Sequence, residues 1–457
     1  MWQVPADFPL FGFAVPPLRA KLPARTMTPD LAILGAGPAG ATLGALLAQR
    51  GFKVLVFDDA KRPELLVGES LVPATVPVMR RLGIEDRVAA YSQHKPGVTF
   101  LHRHGSRIEF NFGPIAKWLP AYAYNIPRPQ FDDTLRERAE ELGVRFVTQR
   151  ATVEKGEDER EIQLTAETLA EAGLTEHPKF LIDATGRTRL FARTLGIGAK
   201  SGERSDVAYF AHFEDFAHDF PPAGQVVISI LDHGWSWRIP LPGRLSVGIV
   251  VHKDAAKQWG NTPEERLDHA LRHEPLLKEH AKNARRVTPV MTYTNYQLVS
   301  DRGHGPGWAA CGDSFGFVDP MLSPGLFMAL ESARLFEEHV FSKGPGVMDR
   351  PEEMQAGFAA AEAELHDWHE SWRELIRHFY DGGIFSLYET GTKFSAKFKG
   401  WPGIAFMENH MTKQIASMAS GAFTRRKYSR GLVRFMRQYM MHDCRPPEDY
   451  AVLPAKG

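Results

Sequence analysis

The chain has 457 residues, as many basic as acidic side chains, and a formal net charge of zero. A chain of this length can bury one large core or several lobes, and the balanced charge gives no reason to expect a nucleic-acid partner. The two cysteines, Cys311 and Cys444, are far apart in sequence, so we expect reduced thiols in a cytoplasmic protein and no metal site. No stretch is apolar for long enough to span a bilayer, and we expect no membrane contact.

Residues 1–27 precede the first recognisable element. This segment contains several prolines, and its short apolar stretch from Phe8 to Val15 lacks a basic region before it. We therefore expect no signal peptide, but a loose extension followed by a compact domain that starts at residue 28.

The first predicted elements are a strand, a glycine-rich turn, a helix and a second strand. An apolar run at 31–34 leads into the sequence GAGPAG at 35–40, a helix rich in Ala and Leu follows over 41–49, and a strand over 53–57 ends at Asp58. Glycines allow a backbone to approach a pyrophosphate closely, and a helix N-terminus offers free N–H groups to it. A carboxylate about 20 residues further on can accept hydrogen bonds from a ribose. We therefore predict a dinucleotide site formed by Gly35, Gly37, Ala39, Gly40 and Asp58.

Two later segments favour FAD over a nicotinamide cofactor. An apolar strand ends in Asp183-Ala184-Thr185-Gly186, and a strand-like run over 308–311 leads into Gly312-Asp313-Ser314 and then a helix over 326–339. Both segments resemble the flavoprotein monooxygenase superfamily, in which the Gly-Asp closes on the ribityl chain of the flavin. That resemblance implies FAD contacts at Asp183, Gly312 and Asp313.

Four further segments resemble the flavin-dependent halogenases that act on tryptophan, phenols or pyrroles. The sequence GESLVP at 68–73 is one, and Lys95 within HKPGVTF at 94–100 is the second. WSWRIP at 235–240 fits the family pattern WxWxIP, and FVDPMLSPG at 317–325 fits FxxPxxSxG at every fixed position. The resemblance covers roughly residues 28 to 345 and does not extend into the C-terminal region.

This resemblance implies a reaction and its participants. Reduced FAD and O2 would oxidise chloride or bromide to hypohalous acid, which passes along a closed tunnel to Lys95 beside the substrate. The ammonium of Lys95 would hydrogen-bond the hypohalous acid, or its neutral amine would form a haloamine. The substrate would be an electron-rich aromatic, either free or bound to a carrier protein, and a separate flavin reductase would supply the reduced flavin.

The site residues of the resemblance have simpler interpretations beside the functional one. Lys95 could be a solvated surface lysine, and Trp235 and Trp237 could be ordinary core aromatics rather than a barrier between substrate and flavin. The resemblance places Pro320 and Gly325 against the cofactor and the halide on the loop of Ser323, Gly325 and Leu326. The variable position of that loop is Pro324, which has no N–H and so removes one donor.

Two more segments are assigned to the flavin by resemblance. Arg128 follows a strand and would lean over the flavin or pair with phosphate, and its alternative is a surface ion pair with Asp132. Glu69 and Ser70 would contact the flavin region, and the alternative for Glu69 is to cap the following helix.

Three functions remain open from sequence. The first is a flavin-dependent halogenase, and the second is a monooxygenase or geranylgeranyl-reductase-like enzyme that lacks halide chemistry. The third is an FAD-binding protein that is not an enzyme, which the intact set of site motifs disfavours.

The order of the motifs predicts the architecture, an α/β fold with a discontinuous Rossmann-like FAD-binding domain. This domain takes residues 28–95, 125–200 and 296–345, and an antiparallel substrate-domain sheet takes 96–124 and 201–295. A hairpin is expected over 98–112 and a helix over 262–280, and residues 346–457 are expected to be mostly helical.

Two helical patterns stand out in the C-terminal region. Trp368, Trp372, Phe379 and Tyr380 recur at near-helical intervals and predict a core face rather than a ligand cage. The basic amphipathic segment 425–440 predicts a solvated helix face, or else a docking surface for an acidic carrier or a membrane.

Overall fold

The structure is a computed structural model that describes residues 28–59, 66–113, 115–116, 118–156, 160–295, 297–398, 403–439 and 446–452. The extension predicted over residues 1–27 and the predicted reduced thiol of Cys444 lie outside these residues. Cys311 is described, and it is a buried free cysteine.

Strands and helices are numbered here in chain order. The strands are β1 Leu31–Leu34, β2 Val54–Asp58, β3 Gln93–Lys95, β4 Gly97–His102, β5 Arg107–Asn111, β6 Ala123–Asn125, β7 Arg145–Thr148, β8 Val153–Lys155, β9 Ile162–Leu164, β10 Phe180–Asp183, β11 Ala199–Ser201, β12 Asp206–Glu214, β13 Val226–Ile230, β14 Gly234–Leu241, β15 Arg244–His252, β16 Arg285–Arg286, β17 Met291–Asn295, β18 Leu298–Ser300, β19 His304–Gly305, β20 Trp308–Ala310 and β21 Gly316–Phe317. The helices are α1 Pro38–Gln49, α2 Val76–Leu82, α3 Glu85–Tyr91, α4 Arg128–Glu141, α5 Ala166–Glu171, α6 Leu190–Leu195, α7 Lys253–Gln258, α8 Pro263–His273, α9 Pro324–Phe336, α10 Pro351–Tyr380, α11 Gly383–Lys397, α12 Ile404–Ala419, α13 Lys427–Tyr439 and α14 Pro447–Tyr450.

The first sheet has six strands in the order β19-β20-β10-β1-β2-β7, and all its pairings except β19 with β20 are parallel. Strands β1, β2 and β10 are buried along their whole length, as expected for continuous apolar runs in a parallel sheet. Helix α1 packs against α4 and α9. The predicted Rossmann-like fold is confirmed, and the carboxyl ends of β1, β2 and β10 meet at one edge.

The second sheet has eight strands, with the path β16-β12-β15-β14-β13-β4-β5 and β17 paired to β12. Its pairings are antiparallel except that of β13 with β4. The hairpin predicted over 98–112 is confirmed as β4 and β5. All six strands of the parallel sheet lie within the segments that we assigned to the FAD-binding domain, and the domain boundaries themselves stay a prediction.

Side chains alternate between the two faces of the second sheet. Trp235 and Trp237 of β14 pair with Ile230 and Ile228 of β13, and all four lie on the face that we call the inner face. Ser236 and Arg238 therefore lie on the opposite, outer face. The outer face of β12 and β15 carries a separate apolar core with α7 and α8.

The helix predicted over 262–280 is shorter in the structure. Helix α8 begins with a capping box formed by Thr262 and Glu265 and ends at His273. Pro275 follows closely, and a residue before proline is disfavoured in the α conformation, which explains the early end.

The C-terminal region is mostly helical, as predicted. The aromatic stripe of α10, from Trp368 to Tyr380, is buried, so its interpretation as a core face is confirmed. In the described part of the chain, no helix combines the length and apolarity needed to cross a membrane.

Part of the basic segment is exposed, including Lys427, Arg434 and Phe435, and part of it is paired with acidic side chains. Arg425 pairs with Glu364 and Asp367, and Arg430 and Arg434 both pair with Glu374 of α10. These positive charges stabilise the packing of α13 on α10. The sequence did not indicate these ion pairs, because the charge pattern of one helix does not reveal an acidic partner some 60 residues earlier. The docking surface stays a prediction.

Candidate active site

One large cavity, of about 960 Å³, extends from the carboxyl edge of the parallel sheet to the inner face of the antiparallel sheet. Gly35, Asp58 and Asp313 line it from the first sheet, and Trp235 and Trp237 line it from the second. The dinucleotide motif, the Gly-Asp motif and the tryptophan pair therefore line one cavity.

The glycine turn is packed in the way that a dinucleotide cradle requires. Gly35 has a φ of 109°, which disfavours any residue with a side chain. A Cβ at Gly35 would overlap the backbone of Ala184, and a Cβ at Gly40 would overlap the carbonyl oxygen of Gly35. A Cβ at Gly37 would meet nothing within 4 Å, since Gly37 and Ala39 line the cavity. Gly40 therefore acts through packing, and Gly37 is open to a ligand.

Asp183 acts differently from what was predicted. Its carboxylate is buried and accepts hydrogen bonds from the Thr185 amide at 2.9 Å, the Phe191 amide at 2.9 Å and the Ser314 hydroxyl at 3.0 Å. Burial raises the pKa of this carboxyl, and the hydrogen bonds oppose that effect. The side chain does not line the cavity, so its part is to hold the turns after β10 and β20 together.

Asp313 does line the cavity, while Gly312 next to it does not. Burial raises the pKa of Asp313 to about 6, against the opposing charges of Arg187 and Arg128. Gly312 has a φ of 66°, and a Cβ there would lie 2.8 Å from the Cβ of Ala39. The Gly-Asp pair therefore combines a packing requirement with an ionisable group at the cavity wall.

Asp58 and Arg128 both line the cavity, and each forms an ion pair with a neighbouring side chain. Asp58 is buried and pairs with Arg136 of α4, a partner that the sequence motif did not indicate. Arg128 is buried and donates to both carboxylate oxygens of Asp132 at 3.2 Å. The predicted ion pair with Asp132 is therefore present, but it is buried and does not lie on the surface. The second arginine beside Asp313, Arg187, also lines the cavity.

Lys95 is not a surface lysine. It is only 2% exposed, at the end of β3, and its Nζ donates to the Ser70 hydroxyl and the Leu71 carbonyl, both at 2.8 Å. Its Nζ also lies 5.5 Å from the centre of the Phe112 ring. Burial lowers the pKa of Lys95 to about 7, because a charged group is disfavoured where water is excluded. The cavity therefore contains an amine that exists in both protonation states near neutral pH.

Glu69, the charged residue of the GESLVP segment, has a partner that the sequence did not indicate. Its carboxylate is 2.7 Å from Nε2 of His212, and both side chains are buried. Glu69 also lines the cavity. It does not cap α2, the following helix, whose N-cap residue is Thr75.

Each tryptophan of the pair Trp235 and Trp237 is held by a hydrogen bond from its indole N–H. The indole N–H of Trp235 donates to the Tyr380 hydroxyl at 2.8 Å, and that of Trp237 donates to the Ser246 hydroxyl at 3.1 Å. The two ring centres are 5.9 Å apart. The Tyr380 hydroxyl in turn donates to Asp319, whose carboxylate also accepts the amide of Met321 at 2.9 Å. Helix α10 thus connects Trp235 and Trp237, which we call the tryptophan wall, to the loop of the FxxPxxSxG motif.

That loop ends at the N-terminus of α9. Leu322 and Ser323 have φ values of 67° and 58°, a left-handed conformation that costs about 1–3 kcal/mol for each non-glycine residue. Pro324 is the first residue of α9, where no intrahelical bond needs its N–H. Ser323, Gly325 and Leu326 line the cavity, while Pro324 does not. The amides of Gly325 and Leu326 belong to the positive end of the helix dipole.

Comparisons with known proteins agree with this geometry. The fold and the glycine turn define a Rossmann-like flavoprotein. Residues 28–302, more than half of the chain, match the family described as FAD binding domain, and the chain belongs to that family. The glycine turn, the carboxylates of Asp58 and Asp313, and the arginines at 128 and 187 are the residues that would hold FAD.

Several relatives are halogenases. A tryptophan 2-halogenase of Chondromyces crocatus is 30% identical over 341 residues, which are 72% of this chain but only 63% of that relative, so the chain spans less than two thirds of its length. A 1H-pyrrole-2-carbonyl-(peptidyl-carrier protein) chlorinase of Pseudomonas fluorescens is 26% identical over 386 residues, covering 77% of this chain and 83% of the chlorinase.

Solved structures show the same fold. A flavin-dependent brominase aligns with a TM-score of 0.71 over 90% of this chain and 99% of its own, at 23% identity. The myxobacterial chondrochloren halogenase aligns with a TM-score of 0.67 over 86% of this chain and 97% of its own, at 24% identity.

Proposed function

We propose that this protein is a flavin-dependent halogenase that acts on an electron-rich aromatic substrate. The observation that carries the proposal is Lys95, a buried amine with a pKa near 7, in the same cavity as the FAD turn and the FxxPxxSxG loop. An aliphatic amine at that depth has no evident structural purpose, because its charged form is expensive to bury. The halogenase relatives support the same function.

Reduced FAD together with O2 supplies the oxidation that converts chloride or bromide into hypohalous acid. The halide would lie against the amides of Gly325 and Leu326, where the helix dipole favours an anion. The net reaction converts reduced FAD, O2, halide, a proton and the aromatic into oxidised FAD, halogenated aromatic and two molecules of water, so every electron and oxygen atom is accounted for.

The tryptophan wall separates the two halves of this chemistry. Trp235 and Trp237 are held by hydrogen bonds to Tyr380 and Ser246, and their rings would exclude an aromatic substrate from the flavin. A monooxygenase needs the opposite arrangement, with its substrate beside the flavin. This contrast favours halogenation over the alternatives of a monooxygenase or a geranylgeranyl-reductase-like enzyme.

Lys95 then directs the hypohalous acid to the substrate. In its neutral form the amine has two N–H groups, which Ser70 and Leu71 both engage, and its lone pair remains for the halogen. Ser70 is therefore a positioning residue for the amine rather than a flavin contact.

The finer assignments are also proposals. The substrate is a phenol, pyrrole or indole, free or carrier-bound; the chlorinase and brominase relatives named for a pyrrole on a peptidyl-carrier protein support the carrier-bound form. A separate flavin reductase supplies reduced FAD, because the sequence contains no dedicated NADPH motif. We place the enzyme in the cytoplasm, as the cysteine usage predicts.

The proposal is tested by supplying reduced FAD, O2 and bromide with phenol or monochlorodimedone. We expect a brominated product; a hydroxylated or reduced product without any brominated one would contradict halogenation. Lys95→Ala should leave flavin oxidation nearly intact and abolish bromination of phenol. Lys200→Ala, at an exposed lysine of β11, is the matched control and should change neither rate.

A further inference from the structure

We propose that Arg238 binds a small monovalent anion, chloride or bromide, on the outer face of the antiparallel sheet. This site is separate from the catalytic cavity, because Arg238 lies on the face opposite Trp235 and Trp237 and does not line the cavity. The proposal does not depend on the halogenase activity.

Arg238 is a fully buried guanidinium that lacks an ionic partner among the described residues. Its exposed fraction is zero, and its one side-chain hydrogen bond in the described structure goes from Nη2 to the Ser229 hydroxyl at 3.3 Å. The N–H groups of Nε and Nη1 meet no protein acceptor among the described residues. These N–H groups lie at different edges of the planar guanidinium, because Nε–H points along the edge shared with Nη2. A buried charge without a counter-ion is strongly unfavourable, and either edge can donate to an anion.

The groups around Arg238 do not neutralise it. The ring of Phe220 lies 4.8 Å from the guanidinium carbon and offers a cation–π contact, which is weaker than an ion pair. His218 and His280 lie close enough for the charge of Arg238 to lower the pKa of each, after the larger effect of burial. Both imidazoles therefore favour their neutral form. The negative charge of Asp219 acts on both histidines, but among the described residues it forms no ion pair with Arg238, whose pKa is lowered to about 10 by burial.

A second donor faces the same region of the sheet. The hydroxyl of Ser236, two residues before Arg238 and also buried, makes no hydrogen bond with any described residue. Ser236 pairs with Ser229 across β13 and β14, so the hydroxyls and the guanidinium edge belong to one patch. Unpaired N–H and O–H donors beside the positive charge of Arg238 suit a halide or another small monovalent anion.

An ordered water is the rival occupant. Nδ1 of His218 and Oε1 of Gln225 in the same cluster also lack a described partner, and water could serve these acceptors as well as the donors. Water would satisfy the hydrogen bonds but would leave the charge of Arg238 uncompensated, which is why we favour the anion.

Crystals of the full chain grown in bromide test the proposal by anomalous scattering at the bromine edge. We expect a bromide peak within hydrogen-bond distance of Nε or Nη1 of Arg238, distinct from any peak at the FxxPxxSxG loop. A water at that position, or no density, would overturn the proposal and leave the proposed function untouched. A peak at Arg238 without a peak at the FxxPxxSxG loop would support the anion site at Arg238. It would contradict only the halide site of the proposed function.

Thermal unfolding supplies an independent measurement. A ligand that binds only the folded state raises its stability with the logarithm of ligand concentration above Kd. In a series of sodium bromide and sodium gluconate at constant ionic strength, we expect the Tm of the wild type to rise with bromide. The part of this rise due to Arg238 should disappear in Arg238→Met, whereas Arg244→Met, at an exposed arginine on β15, should keep it.

Arg238→Met should also be at least as stable as the wild type in gluconate, because it removes a buried charge. An equal rise of Tm with bromide in wild type and Arg238→Met would contradict the site. If Arg238→Met does not fold, the bromide peak in the wild-type crystal decides the matter by itself.

Discussion

The buried amine of Lys95 leads to the most quantitative prediction. Its pKa falls from the ordinary value of 10.5 to about 7 because it is fully buried beside Ser70 and Leu71. We expect the neutral amine to be the form that transfers halogen. The yield of halogenated product per flavin oxidised should therefore rise as pH increases through about 7 and then level off.

The same pKa predicts a change in stability. Between pH 7 and 10.5 the unfolded chain holds the proton of this lysine more tightly than the folded chain, so the free energy of unfolding rises with pH. Burial of the charged form costs about 5 kcal/mol in total, since each pKa unit is worth about 1.4 kcal/mol. About 2 kcal/mol of this cost disappears between pH 7 and pH 9, and the rest lies mostly between pH 9 and 10.5.

Lys95→Met isolates this effect, because methionine has a similar length and no charge. Urea unfolding of both proteins at pH 7 and pH 9 should show the wild type gaining about 2 kcal/mol relative to Lys95→Met. Product yield and flavin oxidation are measured over the same pH range, with FAD binding followed separately because Asp313, with a pKa of about 6, also titrates nearby. A yield that is flat or falls through pH 7, together with equal pH slopes of unfolding, would refute the reasoning.

Three further predictions concern the packing around the cavity. Tyr380→Phe removes the hydroxyl between Trp235 and Asp319, and we expect a loss of about 1–3 kcal/mol in urea unfolding and less product per flavin oxidised; unchanged coupling would argue against a positioning role. Pro324→Ala should leave the KM for bromide within about twofold, because a residue outside the cavity adds no donor to it; a tenfold lower KM would show that the missing N–H had weakened the site. Gly312→Ala should raise the Kd for FAD in a fluorescence titration, because a φ of 66° costs alanine about 1–2 kcal/mol and its Cβ meets Ala39 at 2.8 Å; an unchanged Kd would contradict this.

The features that the sequence predicts well are those fixed by neighbouring residues. The turn from Gly35 to Gly40 combines a positive φ, a close approach and a helix start within six residues, so spacing alone identifies it. The alternation of Trp235 and Trp237 similarly places both rings on one face of a strand. Such patterns depend on local geometry, which is why the fold and these parts of the cavity could be predicted.

The features that the sequence does not reveal depend on distant contacts. Whether Lys95 is exposed or buried depends on the pairing of β3 with β6 and on Ser70, 25 residues earlier. Glu69 and His212 are 143 residues apart, and no motif connects them. A usable signal did exist for the basic helix, since Glu364, Asp367 and Glu374 recur on α10 at spacings that suit one helix face, and comparison of the two helices would have indicated their pairing.

The C-terminal region contains no motif that resembles the halogenase family, yet it fixes the geometry of the motifs that do. Tyr380 lies at the end of α10 and accepts a hydrogen bond from Trp235 while it donates to Asp319. Asp319 in turn holds the amide of Met321, just before the strained residues Leu322 and Ser323. Strained backbone persists only where surrounding contacts over-determine it, so the loop and the tryptophan wall adopt their working positions only when α10 is packed. We therefore expect the helical region to fold together with the FAD-binding domain.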